Sequence, residues 1–228
     1  MRTILSKVSP IFLLLAFFSC SDDDELVGSQ VVVTESRPVD DFNSIVASGI
    51  LDIRITSGST QSVAVRADDN IIDMVTTIVT GSTLAVGFNS SENTFRDVTI
   101  QVEIVVPDLV ELRSEGVTNI SLDDLTGIEN LTIINSGVNN IEASGDAQIL
   151  QLDLSGTGSF AGFQFETDTC TVNLTGVGNA ELWVNNLLQG SLTGVGNIEY
   201  RGEAQVTISK TGLGEITKVD QGLKSFNF

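Results

Sequence analysis

Three pairs of adjacent aspartates have the most readily named chemistry in this sequence: Asp40-Asp41, Asp68-Asp69 and Asp123-Asp124. Paired carboxylates can bind Ca²⁺, and a carboxylate can act as a general acid or base. The basic residues do not cluster in the sequence, and no aspartate pair recurs at the interval of the repeat described below. Each pair is more simply explained as a solvated turn. No catalytic residue, metal ligand or cofactor is therefore predicted, and calcium remains an unsupported option.

Cys170 is the only cysteine besides Cys20, and its environment in the sequence argues against catalysis. A nucleophilic thiolate needs a basic neighbour, and this chain has no histidine to supply one. Cys170 also occupies a repeated position that Leu150 and Leu188 fill in neighbouring repeats. We therefore expect a small buried apolar residue at this position.

Trp183 is the aromatic residue that we single out as a candidate ligand contact. Its counterpart in the next repeat is the charged Arg201, so we expect the indole to point outward, where an aromatic ring can contact a sugar. Tyr200 has Leu182 as its counterpart and is expected to face inward. Three phenylalanines are expected to pack in the core or at a corner: Phe160, Phe163 and Phe165.

These residues are positioned by a repeat whose clearest copy is Gly176-Val177-Gly178-Asn179-Ala180. It returns eighteen residues later as Gly194-Val195-Gly196-Asn197-Ile198, and a distant copy begins at Gly49. Looser copies begin at four further glycines: Gly116, Gly137, Gly156 and Gly212. A fixed period near twenty residues is typical of a repeat architecture.

Each repeat contains apolar residues at alternate positions before its first glycine, which is the pattern of a strand with one buried face. The position six residues before the glycine illustrates the column: Val110, Leu131, Leu150, Cys170, Leu188 and Val206. Such a unit is too short for a strand–helix–strand crossover and can bury its apolar face only against the next unit. The sequence therefore predicts a right-handed parallel β-helix, or β-solenoid, with coils of about 18–21 residues and two or three short strands per coil.

The third residue after each first glycine is predicted to form a structural ladder at the turns. Its members are Asn119, Asn140, Ser159, Asn179, Asn197 and Glu215. Strands in a solenoid stack about 4.8 Å apart, so stacked amides can form hydrogen bonds from coil to coil. This structural role is favoured over a ligand site.

The regular coils are predicted to occupy residues 108–228, and residues 40–107 to form a less regular β layer of the same domain. No linker separates the two parts, so residues 40–228 are expected to be a single β-solenoid domain. Phe226 and Phe228 are expected to cover the last coil, because solenoid ends need capping.

The composition narrows the class of partner. The chain has 228 residues, 41% of them hydrophobic, and a formal net charge of -19. This hydrophobic content is ample for a core, and the acidity argues against nucleic acid, whose binding requires basic patches. Acidity alone identifies no partner, because it mainly affects solubility.

The N-terminus resembles a bacterial lipoprotein signal, in which a cysteine becomes the lipidated first residue. Arg2 and Lys7 precede a short apolar run that ends at Ser19-Cys20, and an acidic Ser21–Glu25 segment follows. The resemblance implies a signal peptide at residues 1–20, a lipid anchor on Cys20 and an acidic tether at residues 21–39. It also implies an outer-membrane lipoprotein, either exposed on the cell surface or facing the periplasm.

The arrangement resembles the putative auto-transporter adhesin family with a head GIN domain, a family of Bacteroidetes proteins. The resemblance rests on Phe42–Gly49, Ala67–Ile72, the Val105–Leu109 step and the repeated Gly-Val-Gly-Asn turns, and covers roughly residues 40–220. It implies a β-helical surface or periplasmic protein and brings no catalytic residues with it.

We therefore expect a non-catalytic, envelope-anchored surface protein that binds a glycan or a protein partner. Two alternatives remain open at this point. An aromatic-lined groove with paired carboxylates would favour a polysaccharide-active enzyme or a carbohydrate-binding module. A ladder surface without such features would favour a purely structural component of the cell envelope.

Overall fold

The structure, a computed structural model, describes residues 25–89 and 94–219. The predicted signal peptide, the lipidation site Cys20, the start of the tether and the predicted capping residues Phe226 and Phe228 lie outside the described residues. The described part is all-β apart from one 3-10 turn at Ile72–Met74, as the alternating apolar pattern predicts.

Nine strands precede the regular repeats. They are β1 Glu25–Val27, β2 Val32–Arg37, β3 Ser44–Ala47, β4 Ile50–Ser57, β5 Ser62–Asp68, β6 Val75–Thr80, β7 Thr83–Phe88, β8 Thr94–Arg96 and β9 Ile100–Val106.

Eight strands form the regular repeats. They are β10 Glu111–Ser114, β11 Val117–Asn135, β12 Val138–Leu154, β13 Thr157–Leu174, β14 Ala180–Leu192, β15 Ile198–Arg201, β16 Gln205–Lys210 and β17 Ile216–Lys218.

The regular strands stack in parallel, which confirms the predicted β-solenoid. Ile133 pairs with Leu152, Leu152 with Val172, and Val172 with Gly190, so like positions of successive repeats stand side by side. The predicted two or three short strands per coil merge in β11, β12 and β13 into one long strand. Each of these strands bends where its register shifts, as between Leu122 and Leu125, because an extra residue in one strand turns the chain.

The first coil is remote in sequence from the coil that it stacks on. Strands β3 and β4 pair in parallel with β10 and β11, so Ser44–Ser57 forms a solenoid coil below the regular repeats. On their other side, β3 pairs with β7 and β4 pairs with β9, again in parallel. Within residues 58–107, β7 and β9 thus extend the stack, whereas β5 and β6 pair antiparallel, which makes this part less regular, as predicted.

Two paired strands lie near the start of the chain. Within residues 21–39, β1 pairs with β8, and β2 pairs antiparallel with β5. The side chains of β2 are mostly exposed, so its attachment depends on backbone hydrogen bonds. Alternation of buried residues therefore could not indicate this strand.

The core runs through the middle of the coils as stacked aliphatic side chains. Cys170 lies fully buried between Leu150 and Leu188, as its column predicts. The same column is exposed at its two ends, at Val110 and Val206. Val110 precedes the first residue of β10, and Leu109 is buried in its place.

In the regular repeats, from Gly116 to Gly212, the first glycine is required by close packing and not by a positive φ. A Cβ atom on Gly176 would overlap the carbonyl oxygen of Gly156 in the coil below, and one on Gly194 would overlap that of Gly176. The second glycine, as at Gly196, combines a positive φ of 150° with the same overlap. Glycine at these two positions therefore leaves room for the backbone of the neighbouring coil.

Candidate functional site

The predicted turn ladder lies on one outward side of the coils. Asn119, Asn140 and Ser159 are register partners in β11, β12 and β13, and Asn119 also pairs with Asp52 of β4. We call the outward side of β4 and of β11 to β15 that carries these residues the ladder face. Its side chains alternate with the buried aliphatic side chains of the same strands.

The ladder is joined from coil to coil by bonds between side chains and backbone. The Asn197 N–H donates to Asn179 Oδ1 at 2.9 Å, and the Glu215 N–H donates to Asn197 Oδ1 at 2.9 Å. The Asn119 amide donates to Asp52 Oδ1 at 3.0 Å. The side-chain oxygens of Asn179 and Asn197 thus each accept a backbone N–H group of the next coil.

A second set of polar residues, not predicted from the sequence, is buried inside the coils. Ser114, Thr118, Asn135 and Asn139 are at most 3% exposed. Asn139 Oδ1 accepts bonds from the Thr118 N–H at 3.0 Å and the Thr118 hydroxyl at 2.5 Å. Asn139 donates to Asn135 Oδ1, and the Ser114 hydroxyl lies 2.7 Å from Thr118 Oγ1.

The signal for this network was the loss of leucine from one column. Leu154 and Leu174 are buried at the position that Ser114 and Asn135 occupy in the first regular repeats. Those later repeats carry glycine, as at Gly158, where the earlier ones carry Thr118 and Asn139. The polar pairs therefore fill, inside two coils, the volume that leucine fills elsewhere.

A cavity of about 600 Å³ opens on the ladder face across β4, β9, β11 and β12. Ile53 and Ile120 form part of its wall. Its polar lining residues are Asp52, Arg54, Gln101, Asn119, Ser121, Asp123, Asn140 and Glu142. The cavity thus contains guanidinium, amide, hydroxyl and carboxylate groups in one place, and includes two members of the predicted ladder.

An ion pair holds one side of this cavity. The Arg54 guanidinium lies 2.7 Å from Asp123 Oδ2, and the Ser121 hydroxyl donates to Asp123 Oδ1 at 2.6 Å. Arg54 is more than half exposed, so solvent weakens this pair and leaves the remaining guanidinium N–H groups accessible. The wall therefore combines a fixed carboxylate with an accessible donor.

Trp183 lies on the ladder face, half-buried, beside charged residues of the neighbouring coils. Its register partners are Glu166 on β13 and Arg201 on β15. Its carbonyl accepts a bond from the buried Thr167 hydroxyl at 2.9 Å, which fixes the backbone at this point. The indole lies outside the cavity lining, so the structure does not bring Trp183 together with Asn119 and Asn140 in one pocket.

Two carboxylates stand side by side next to Trp183. Glu181 and Glu199 are register partners on β14 and β15, and both are half-buried. Burial raises the pKa of Glu181, the charge of Glu199 raises it further, and Arg201 acts in the opposite direction. An acid whose pKa is raised holds its proton to a higher pH than an exposed glutamate does.

The other aromatic residues near this position serve mainly in packing. Phe160 and Phe165 are 1% exposed, in agreement with their predicted place in the core. Phe163 is 8% exposed, and the Arg201 guanidinium lies 4.0 Å from the centre of its ring. Tyr200 is half-buried and packs against the core, as its alignment with Leu182 predicts.

The three aspartate pairs have separate, local surroundings. Asp68, the last residue of β5, is fully buried. Its carboxylate accepts hydrogen bonds from the Gln30 N–H at 2.8 Å and the Thr99 N–H at 2.7 Å, and so connects β5 to the start of the chain. Asp123 belongs to the ion pair with Arg54. Among residues 25–89 and 94–219, no group of three or more acidic or cysteine side chains is arranged to hold a metal ion.

Cys170 is unsuited to nucleophilic chemistry. It is fully buried, and burial raises the pKa of its thiol to about 12. A thiol with this pKa carries almost no thiolate at neutral pH. The structure thus agrees with the packing role expected from the sequence.

No helix in the described part of the chain has the length and apolarity needed to cross a membrane.

Two bacterial proteins of known structure have a similar fold. A putative adhesin from Bacteroides fragilis is 22% identical, with a TM-score of 0.71 over 85% of this chain and 100% of its own. A putative lipid binding protein from Parabacteroides distasonis is 18% identical, with a TM-score of 0.56 over 86% of this chain and 100% of its own. No curated protein matches this chain.

The family to which these repeats belong is identified by the sequence itself. The family model described as putative auto-transporter adhesin, head GIN domain, matches residues 41–204. This range includes the coil Ser44–Ser57, the long strands β11 to β14 and the carboxylates beside Trp183. The chain therefore belongs to the putative auto-transporter adhesin family with a head GIN domain.

Proposed function

We propose that this protein is an envelope-anchored surface protein that binds a glycan through its ladder face. The observation that carries the proposal is the cavity of about 600 Å³, in which Arg54, Asn140 and Glu142 present both donors and acceptors. Sugar hydroxyls both donate and accept, so a mixed set of fixed polar groups recognises them better than a surface of one charge. Membership of an adhesin family supports a surface role.

Trp183 supports the same face as the site of contact. Strands β12, β13 and β14 are consecutive in the stack, so Trp183 lies two strand spacings, about 10 Å, from the strand of Asn140 and Glu142. An extended oligosaccharide can span that length, with polar contacts at the cavity and an apolar ring face on the indole. We therefore assign the cavity the polar contacts and Trp183 the stacking contact.

A glycan array tests this proposal with purified residues 21–228, which include every described residue, with and without calcium. We expect saturable binding to one class of sugar, weakened at least about tenfold in Trp183→Ala and in Arg54→Ala, the loss of about 1.4 kcal/mol or more. Ile78→Ala, an exposed residue of β6 away from the ladder face, is the matched control and should bind as the parent does. Absence of binding in both conditions rejects the glycan proposal and leaves a protein partner or a structural role.

Glu181 and Glu199 favour a second candidate, a polysaccharide-active enzyme. Retaining glycosidases use two carboxyl groups about 5 Å apart, one of them with a raised pKa. Neighbouring strands place Glu181 and Glu199 at a comparable backbone separation, and the pKa of Glu181 is raised. The test is release of reducing ends from the sugars that the array identifies, which this candidate predicts to vanish in Glu181→Gln. Binding without any release in the parent protein rejects the enzyme.

The anchor is a separate part of the proposal. Lipidation of Cys20 would hold the described domain at the outer membrane, on the surface or facing the periplasm. Metabolic labelling with a fatty acid should mark the full chain but not Cys20→Ser. Equal labelling, or none in either chain, contradicts the lipid anchor without bearing on the ligand.

A further inference from the structure

A continuous line of exposed aliphatic side chains runs along the turns of the solenoid. In each repeat, the residue after the first glycine points outward and pairs in register with its counterparts above and below. We call these residues the valine ridge: Ile50, Val117, Val138, Thr157, Val177, Val195 and Leu213. Its six aliphatic members are 42% to 70% exposed.

The ridge is a concentrated feature of the surface. It holds six of the thirteen large hydrophobic residues that are exposed in the described part of the chain. Seven coils span six strand spacings, so the ridge is about 29 Å long. Contiguous exposed apolar strips on soluble proteins mark interaction sites more often than scattered residues do.

The seven ridge residues carry no charge, in a chain with a net charge of -19. The glycine column beside it has no side chains. The next column consists of Ser48, Ser136, Ser155, Thr175, Thr193 and Thr211, with Glu115 as its one charged member. A partner of the ridge is therefore recognised by its shape and repeat distance and not by its charge.

We propose that the valine ridge is the contact between two copies of this chain. A second copy carries the same ridge at the same spacing of about 4.8 Å, so its side chains meet those of the first copy at every coil. The order of residues reads the same from either end: a longer aliphatic, two valines, a threonine, two valines and a longer aliphatic. Two ridges thus match in both two-fold arrangements, and Thr157 meets Thr157 in each.

The narrow shape of the ridge sets the strength of this dimer. A strip of about 29 Å by 10 Å buries much less than the ~800 Å² per partner of a standard interface. The dimer is therefore weak and reversible, with a dissociation constant on the order of micromolar to millimolar. Chains held together on one surface or between two surfaces reach the local concentrations that such a contact needs.

Cysteine cross-linking of residues 21–228 tests the contact. Cys170 is buried, so a cysteine introduced at Thr157 is the accessible thiol. We expect Thr157→Cys to form a disulfide-linked dimer under mild oxidation and the matched Ile78→Cys, which is exposed on β6 away from the ridge, to remain monomeric. If the copies are parallel, the single variant Val117→Cys should form the cross-linked dimer. If they are antiparallel, residue 117 faces residue 195 of the second copy, so only the double variant Val117→Cys with Val195→Cys should do so.

Sedimentation measurements test the same dimer without a cross-link. At about 0.15 M salt, long-range repulsion between the acidic chains is screened. The parent protein should dimerise in a concentration-dependent way, and Thr157→Glu should raise the dissociation constant at least about tenfold because it places two carboxylates at the two-fold axis. Ile78→Glu carries the same added charge and should dimerise as the parent does. A parent that stays monomeric up to about 1 mM, or equal cross-linking at residues 157 and 78, overturns the proposal and leaves the ridge to another ligand.

Discussion

Asn139 and Asn140 are adjacent residues of the same type with opposite environments. Asn139 points into the coil and bonds to Thr118 and Asn135, whereas Asn140 points outward from the ladder face. We expect Asn139→Ala to lower the free energy of unfolding by about 1–3 kcal/mol, because it leaves buried polar groups of both partners without a bond. Urea unfolding monitored by tryptophan fluorescence measures this change.

The same substitution at Asn140 is the control, and should change the free energy of unfolding by no more than about 0.5 kcal/mol. A loss of equal size at the two positions would show that the outer ladder contributes as much as the buried network. The comparison separates a ladder kept for stability from one available for binding.

Glu181 makes stability depend on pH in a defined direction. Its pKa is raised, first by burial and then by Glu199, so the native state holds this proton more tightly than the unfolded chain does. Stability from this group is therefore present at low pH and is lost as the pH rises from the ordinary glutamate value through the raised pKa. We expect Glu181→Gln to melt at a higher temperature than the parent at pH 7, and the difference to shrink towards about pH 4.

Glu199→Gln isolates the contribution of the neighbouring charge. It removes the second cause of the raised pKa of Glu181 and leaves burial. At pH 7 we therefore expect Glu199→Gln to melt above the parent, by less than Glu181→Gln does. Melting temperatures of both variants that equal the parent's across this pH range would contradict a strained carboxylate pair.

At the scale of elements, neighbouring coils approach so closely at the glycine column that there is no room for a side chain between their backbones. Gly176 has no positive φ, yet a Cβ there would overlap the Gly156 carbonyl oxygen. We expect Gly176→Ala to lower the free energy of unfolding by about 1–3 kcal/mol through this steric overlap alone. Chemical denaturation measures the cost.

Gly127 provides the contrasting control, because it has a φ of 71° and open space around its Cβ position. Gly127→Asn should cost less than Gly176→Ala, since asparagine tolerates the left-handed conformation. A larger loss at Gly127 would mean that turn conformation, and not the approach of the coils, is what the repeated glycines protect.

The repeat made the coils predictable, because each glycine and each apolar column recurs at nearly the same interval. The pairing of β3 with β10 was harder to infer, since residues 58–107 intervene. Among their described strands, β5 pairs antiparallel with β9 and β6 with β7, and only β7 and β9 join the stack, in parallel. β2 does not alternate buried and exposed residues. Asn135 stands in a column that carries leucine only in later repeats, so the sequence did not indicate that it is buried. A period in the sequence thus predicts what stacks on what, but not which polar residues meet inside or which outward residues enclose a cavity.

The face that carries the candidate site and the ridge that carries the proposed contact are built by the same turn. Val117 belongs to the ridge, and Asn119, two residues along the same strand, belongs to the ladder face. The buried Thr118 between them joins the network that fixes the turn from within. One repeat therefore produces an apolar line, a polar face and the interior support of both, and the stack multiplies all three.

The whole molecule is a stack in which each coil contacts only its neighbours, so protection should vary along its length. β13 lies between β12 and β14, and its alternate residues are buried. β16 pairs only with β14 within the described residues, and no side chain of β16 is fully buried.

We expect backbone amides of residues 205–210 to exchange with deuterium at least about tenfold faster than those of residues 169–174. Local opening of β16 breaks its pairing with one neighbouring strand and exposes little apolar surface. Peptide-resolved hydrogen exchange measures both segments in one sample. Equal protection of the two segments would contradict stability that spreads from neighbour to neighbour, and would indicate a molecule that opens only as a unit.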